Sequence, residues 1–104
     1  MKQYTSKDQT AKLIELGFPE PSPKYIHIGG VSYDSNHNYS IGELIEFIKN
    51  VAENNSVNIY TQFSLVEFNI LKKSGRRCSY SFRGDELIDS LFDACVTLKE
   101  EGVI

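Results

Sequence analysis

Residues 56–83 read SVNIYTQFSLVEFNILKKSGRRCSYSFR, and the period of this stretch decides the fold. Val57, Ile59, Thr61 and Phe63 recur at every second position between polar or amphipathic neighbours, which is the strand period. At Leu65-Val66 the alternation slips by one, and Val66, Phe68 and Ile70 continue in the opposite phase. One strand cannot keep a single buried face through such a slip. Either a bulge sits near residue 65 or two strands meet there. Lys73-Ser74-Gly75 then has the form of a three-residue hairpin loop with glycine at its left-handed position. The return strand alternates Cys78, Tyr80 and Phe82 with Arg77, Ser79, Ser81 and Arg83. The rings are therefore expected to face the core and the arginines to face water.

Helices flank this ribbon. Ser40-x-x-Glu43 is a capping box, with Tyr39 and Leu44 at hydrophobic-staple positions. Ile41, Leu44, Ile45, Ile48, Val51 and Ala52 make one apolar stripe over 41–52, and ENNS (53–56) ends that helix. After the hairpin, Leu87, Ile88, Leu91, Phe92, Cys95 and Leu98 line one side of a helix expected from about Asp85 to Glu101. Gly102 caps it, and Val103 and Ile104 are placed to fold back on its last turn. Nearer the start, Ser6-x-x-Gln9 opens a short helix carrying Leu13, Ile14 and Leu16, closed by Gly17 and Phe18. Three prolines in PEPSPK (19–24) then exclude helix. KYIHIGGVSY (24–33) alternates as a strand, with a bulge or sharp bend expected at Gly29-Gly30 and a turn or loop over DSNHN (34–38).

The order α-β-α-β-β-α implies a single α+β domain over 1–104, a small antiparallel sheet with a β-hairpin, packed on one face by three helices. Val57, Ile59, Phe68, Ile70, Tyr80 and Phe82 are the expected sheet contributors to the core. A chain of 104 residues buries roughly 65% of its unfolded surface and needs no metal or disulfide to fold.

Composition narrows the function classes. The hydrophobic fraction of 40% and charged fraction of 24% are those of globular domains. Net charge is −3, yet residues 72–83 carry five positive charges and no negative one, leaving −8 on the rest. An acidic chain is not a general nucleic-acid coat, but its surface is polarised. The polar opening MKQYTSKDQT has no apolar signal region, and no window approaches the ~18 apolar residues of a membrane span. A cytoplasmic home is expected, with Cys78 and Cys95 reduced, inert and near neighbours across the core.

Three stretches, YTSKDQTAKLIELGF (4–18), YSIGELIEFI (39–48) and GDELIDSLFDACVTLKEEGVI (84–104), resemble a family of short proteins encoded in gut Bacteroidales genomes and their phages or mobile elements. The likeness covers about half the chain, and its matching positions are caps and apolar stripes. It implies a shared fold and host range, and no activity or catalytic motif.

The basic segment is the candidate interaction patch, comprising Lys72, Lys73, Arg76, Arg77 and Arg83. One reading is a basic hairpin along phosphates; the other is a solvent face that meets an acidic partner protein or a second copy. Asp34-x-Asn36-x-Asn38 opens like a calcium loop, but Tyr39 stands where glycine is needed and Ile45 where a bidentate Glu should be. His27 and His37 lie at no diagnostic spacing from an acid, a nucleophile or a cysteine. No GxGxxG, P-loop or GxSxG is present. The acidic residues 85, 86, 89 and 93 read as the solvated face of the last helix. The expectation is a non-enzymatic interaction protein without cofactor, metal or small-molecule substrate, binding a protein partner or itself. The alternative is nucleic-acid binding through hairpin 72–83.

Overall fold

The computed structural model describes residues 2–104, with the backbone alone for residues 25–27 and 32–36. In chain order it has α1 (Lys7–Glu15), β1 (Lys24–Ile28), β2 (Val31–Asn36), α2 (Ile41–Lys49), β3 (Asn58–Tyr60), β4 (Leu65–Leu71), β5 (Arg77–Arg83) and α3 (Leu87–Glu100). The α-β-α-β-β-α layout holds, with two refinements. The first β unit is a two-stranded hairpin of its own, and a short strand precedes the predicted pair.

Capping chemistry starts the first two helices where the sequence implies. Gln9 N–H donates to Ser6 Oγ at 3.1 Å and Ser6 N–H returns to Gln9 Oε1 at 2.9 Å. At α2, Glu43 N–H donates to Ser40 Oγ at 3.2 Å and Ser40 N–H to Glu43 Oε1 at 3.1 Å. The staple residues Tyr39 and Leu44 are fully buried beside it. The third helix begins two residues later than the sequence implies, with Asp89 Oδ2 accepting from Glu86 N–H at 3.3 Å. Past the ends of α1 and α3, Phe18 N–H bonds Leu13 C=O at 3.1 Å and Val103 N–H bonds Leu98 C=O at 2.9 Å. These contacts fold the chain back on the last turns.

Glu43 does more than cap. Its carboxylate also accepts from Ser22 N–H at 2.9 Å and pairs with the Lys24 ammonium. Burial alone pushes this carboxyl up, but the bonds from Lys24, Ser22 and Ser40 outweigh it and hold the carboxyl below its usual range. A folded value below the unfolded one means stability that is complete above the unfolded carboxyl's pKa. That stability is lost as pH falls to the lower folded value. Glu43→Gln should therefore lower the urea midpoint at pH 7, and should flatten part of the parent's decline in acid.

Gly29 and Gly30 do not bulge a single strand. Both have positive φ, 56° and 81°, and form the two-residue turn joining β1 to β2, with Ile28 opposite Val31. Such a turn requires left-handed backbone at both positions, which glycine alone adopts without strain. The expected loop at 34–38 gives way to strand as far as Asn36, with a register shift at Lys24/Tyr25. The side chains of Tyr25, Ile26, His27, Asp34 and Asn36 lie outside the described residues, and so do the expectations resting on them.

The phase slip at residue 65 is two strands meeting. A 3₁₀ turn over Thr61–Phe63 and a left-handed Ser64 (φ 50°) join β3 to β4. The sheet order is β3-β4-β5, antiparallel throughout. Ile59, Val66, Phe68, Ile70, Cys78, Tyr80 and Phe82 share its inner side, because paired residues lie on one face. Val66, Phe68 and Ile70 are buried there, and the edge-strand rings are half-buried. Phe68 stacks on Tyr80 with ring centroids 5.3 Å apart. Helix α3 lies against the inner face of β4 and β5, α2 packs on α3, and α1 also touches α3. The apolar stripe 41–52 is thus buried largely against another helix, whereas 87–98 meets the sheet directly. Among the described residues no helix is long and apolar enough to cross a membrane.

Candidate interaction surface

The outward residues of β4 and β5 are exposed or half-exposed, and no α-helix among the described residues covers them. Pairing across the strands arranges the side chains of this outer face in rows. The first row is Tyr60, Leu65 and Arg83; the second is Asn58, Glu67 and Ser81; Asn69 with Ser79 and Leu71 with Arg77 follow. Ser79 Oγ and Asn69 Oδ1 are 2.7 Å apart, a side-chain bond across the middle of the face.

The first row is apolar and cationic together. Tyr60 is 46% exposed and Phe63, on the turn between β3 and β4, is 50% exposed. The Arg83 guanidinium lies 5.8 Å from the Phe63 ring centroid, within cation–π range. Two rings, a leucine and an arginine therefore form one solvent-facing cluster. At the opposite end of the face Leu71 is also exposed, beside Arg77.

The five basic residues singled out from sequence do not form one patch. Arg77 and Arg83 stand at opposite ends of β5, six residues apart and so roughly 20 Å. Arg77 Nη2 donates to Glu53 Oε1 at 2.7 Å, which neutralises that charge. Lys72, Lys73 and Arg76 belong to the hairpin loop, where Gly75 has φ 85° as its position implies. Among the described residues no ion pair is formed by these three cations. Lys72 and Lys73 also border a cleft of about 400 Å³ floored by Val51, Ile70, Leu71 and Val103.

A second, polar cleft of about 350 Å³ lies between the end of α2 and the sheet, lined by Glu53, Asn54, Ser56, Asn58, Phe68, Asn69 and Arg77. Asn54, which lines it, and the following Asn55 are successive left-handed residues, φ 58° and 53°, a conformation asparagine tolerates better than most side chains.

Sequence reasoning placed Tyr80 and Phe82 inward and Arg77 and Arg83 outward, as found. It missed the Tyr60–Phe63–Leu65 cluster, because Val57, Ile59, Thr61 and Phe63 were read as one continuous face. The chain turns at residue 61 and carries Phe63 to the outside. The available signal was the slip at Leu65-Val66, which demands a break just before it.

Cys78 and Cys95 are both free thiols. Cys95 is buried on α3, its Sγ 3.8 Å from Leu44 C=O, and burial pushes its pKa up to about 12. Iodoacetamide under native conditions at pH 8 should alkylate Cys78 and spare Cys95 until denaturant is added; equal labelling of both would contradict this burial. Among the described residues, no three of His, Cys, Asp and Glu gather in a way that could hold a metal ion. Compared with known protein families, with curated proteins and with solved structures, the chain finds no match in any of the three.

Proposed function

We propose that this chain is a non-enzymatic interaction protein that binds a protein partner through the outer face of its three-stranded sheet. The observation that supports this reading is the cluster of Tyr60, Phe63, Leu65 and Arg83 on a face that no α-helix among the described residues covers. Tyr, Phe and Arg are enriched where proteins meet: the rings bring large apolar area with few rotatable bonds, and the guanidinium stacks on rings and donates several hydrogen bonds. A face of paired strands also holds its side chains at fixed spacing, which lowers the cost of ordering them on binding.

The test is a photo-reactive amino acid at position 63, with one at the exposed Lys12 of α1 as control. A discrete protein adduct at position 63, absent at position 12 and lost on adding Tyr60→Ser with Arg83→Glu, is the expected result. An adduct of twice the chain's mass would identify the partner as a second copy. Irradiation that yields no adduct at position 63 would overturn the reading.

A second reading has its own observation. Lys72, Lys73 and Arg76 crowd one loop with no ion pair among the described residues, which suits a phosphate chain. Three cations predict a salt slope of about −2 to −3 in log–log form. Lys73→Glu with Arg76→Glu is the suitable variant, because Arg77→Glu would set two carboxylates together at Glu53. Anisotropy of labelled single- and double-stranded oligonucleotides that stays flat at 20 mM salt would remove it.

A further inference from the structure

The ladder between β4 and β5 determines which backbone groups of β5 look outward. Lys72 N–H donates to Arg76 C=O at 2.8 Å, so these two form a hydrogen-bonded pair. Bonded and non-bonded pairs alternate along an antiparallel ladder. Ile70–Cys78, Phe68–Tyr80 and Val66–Phe82 are therefore the bonded pairs. The amides and carbonyls of Arg77, Ser79, Ser81 and Arg83 point away from β4. Since β5 is the last strand of its sheet, no strand among the described residues receives them. Eight backbone polar groups line an edge roughly 20 Å long.

Soluble proteins usually blunt such an edge with shortness, a bulge, a proline or charge. Here β5 has seven residues, pairs with β4 without a bulge and contains no proline. The arginines at its ends turn away from the edge, Arg77 toward Glu53 and Arg83 toward Phe63, both beyond β4. Serines at 79 and 81 occupy the middle and present no bulk.

We propose that the open edge of β5 captures an extended acidic segment of a partner protein by strand addition. This rests on the protein-binding reading above and specifies the chemistry of the partner. Charge selects an acidic segment. Lys73 and Arg76 of the loop stand at the end of the edge where β5 begins, while Arg77 is already neutralised by Glu53 and Arg83 is turned toward Phe63. A second copy's β5 carries no acidic residue to meet these cations. On the inner side, the half-buried Cys78 and Phe82 and the ring of Tyr80, whose hydroxyl meets the Glu101 carboxylate, lie beside alternate residues of the incoming strand. The captured segment thus carries Asp or Glu where it meets the loop and alternating apolar residues along the rest of the edge.

The probe is an acetylated ten-residue peptide, EETVTVTVEE, with KKTVTVTVKK as its charge-reversed control. Amide hydrogen exchange by NMR on the whole chain reads the edge directly. Saturating acidic peptide should slow exchange at Arg77, Ser79, Ser81 and Arg83 at least tenfold, leaving Cys78, Tyr80 and Phe82 unchanged. Ser81→Pro removes one outward N–H and no ladder bond, and should weaken the peptide at least tenfold. Should that variant fail to fold, Lys73→Glu with Arg76→Glu must lose EETVTVTVEE and gain KKTVTVTVKK. Unaltered exchange at the four edge amides with millimolar acidic peptide overturns the proposal, as does equal binding of both peptides. An oligonucleotide that shifts Lys72, Lys73 and Arg76 while both peptides are silent overturns it too. A partner cross-linked at position 63 that survives Ser81→Pro would sink strand addition and leave the face reading standing. Edge protection without any such adduct would do the reverse.

Discussion

Leu91→Asp should abolish the cooperative fold. Leu91 is completely buried on α3, the helix that lies against both the sheet and α2. Truncating a core leucine costs about 2–5 kcal/mol in lost transfer energy and residual cavity. The replacement also strands a carboxylate without a partner, which adds several kcal/mol unless it is protonated. The sum reaches the 5–15 kcal/mol typical of a whole domain. Far-UV circular dichroism at 20 °C should show loss of helix, and the thermal transition should vanish. A melt within a few degrees of the parent would mean that α3 is not the centre of the core.

Ser90→Ala should lower Tm by about 12–24 °C without unfolding the protein at 25 °C. Ser90 is the one fully buried polar residue on α3. Its hydroxyl accepts from Gly84 N–H at 2.7 Å and donates to Ser64 C=O, so a single oxygen joins the end of β5, the start of α3 and the entry to β4. A Cβ at Gly84 would lie 3.0 Å from Asp89 Cβ and 3.2 Å from Ser90 N, so strand and helix meet there almost backbone to backbone. Water has no room to replace the hydroxyl. Alanine leaves one donor and one acceptor unpaired, each about 1–3 kcal/mol, for a loss of about 3 kcal/mol. Each kcal/mol moves Tm by about 4–8 °C in a domain near this size. Calorimetry on Ser90→Ala and Ser90→Thr separates the two contributions: threonine retains the hydroxyl and tests the space. An alanine variant melting like the parent would mean that the junction is held by something other than this serine.

Much of the fold was legible because its signals are local. A capping box needs four residues, and Ser6 with Gln9 and Ser40 with Glu43 state their helix starts without reference to the rest of the chain. The β4–β5 register follows from the position of Gly75 and the phase of Val66, Phe68 and Ile70. What was not legible depends on pairing at a distance. Gly29-Gly30 allows a bend, a bulge or a two-residue turn; only the partnering of Ile28 with Val31 distinguishes them. The same limit hid the candidate surface. Five cations adjacent in sequence looked like one patch, yet Glu53, 24 residues away, claims Arg77, and Phe63 lies under Arg83. Charge counting along the chain cannot register a salt bridge between elements, or tell which side of a turn an aromatic will reach.

Six of the fifteen buried apolar side chains among the described residues come from α3. Helices α1 and α2 and strands β4 and β5 therefore lack a shared packing partner until residues 87–100 have been synthesised. On a ribosome the nascent β4–β5 hairpin would wait with Phe68, Tyr80 and Phe82 open to water, within reach of chaperones or of other nascent chains. Maturation should thus come late and at once, and truncations within α3 should accumulate as aggregates rather than as smaller native-like fragments.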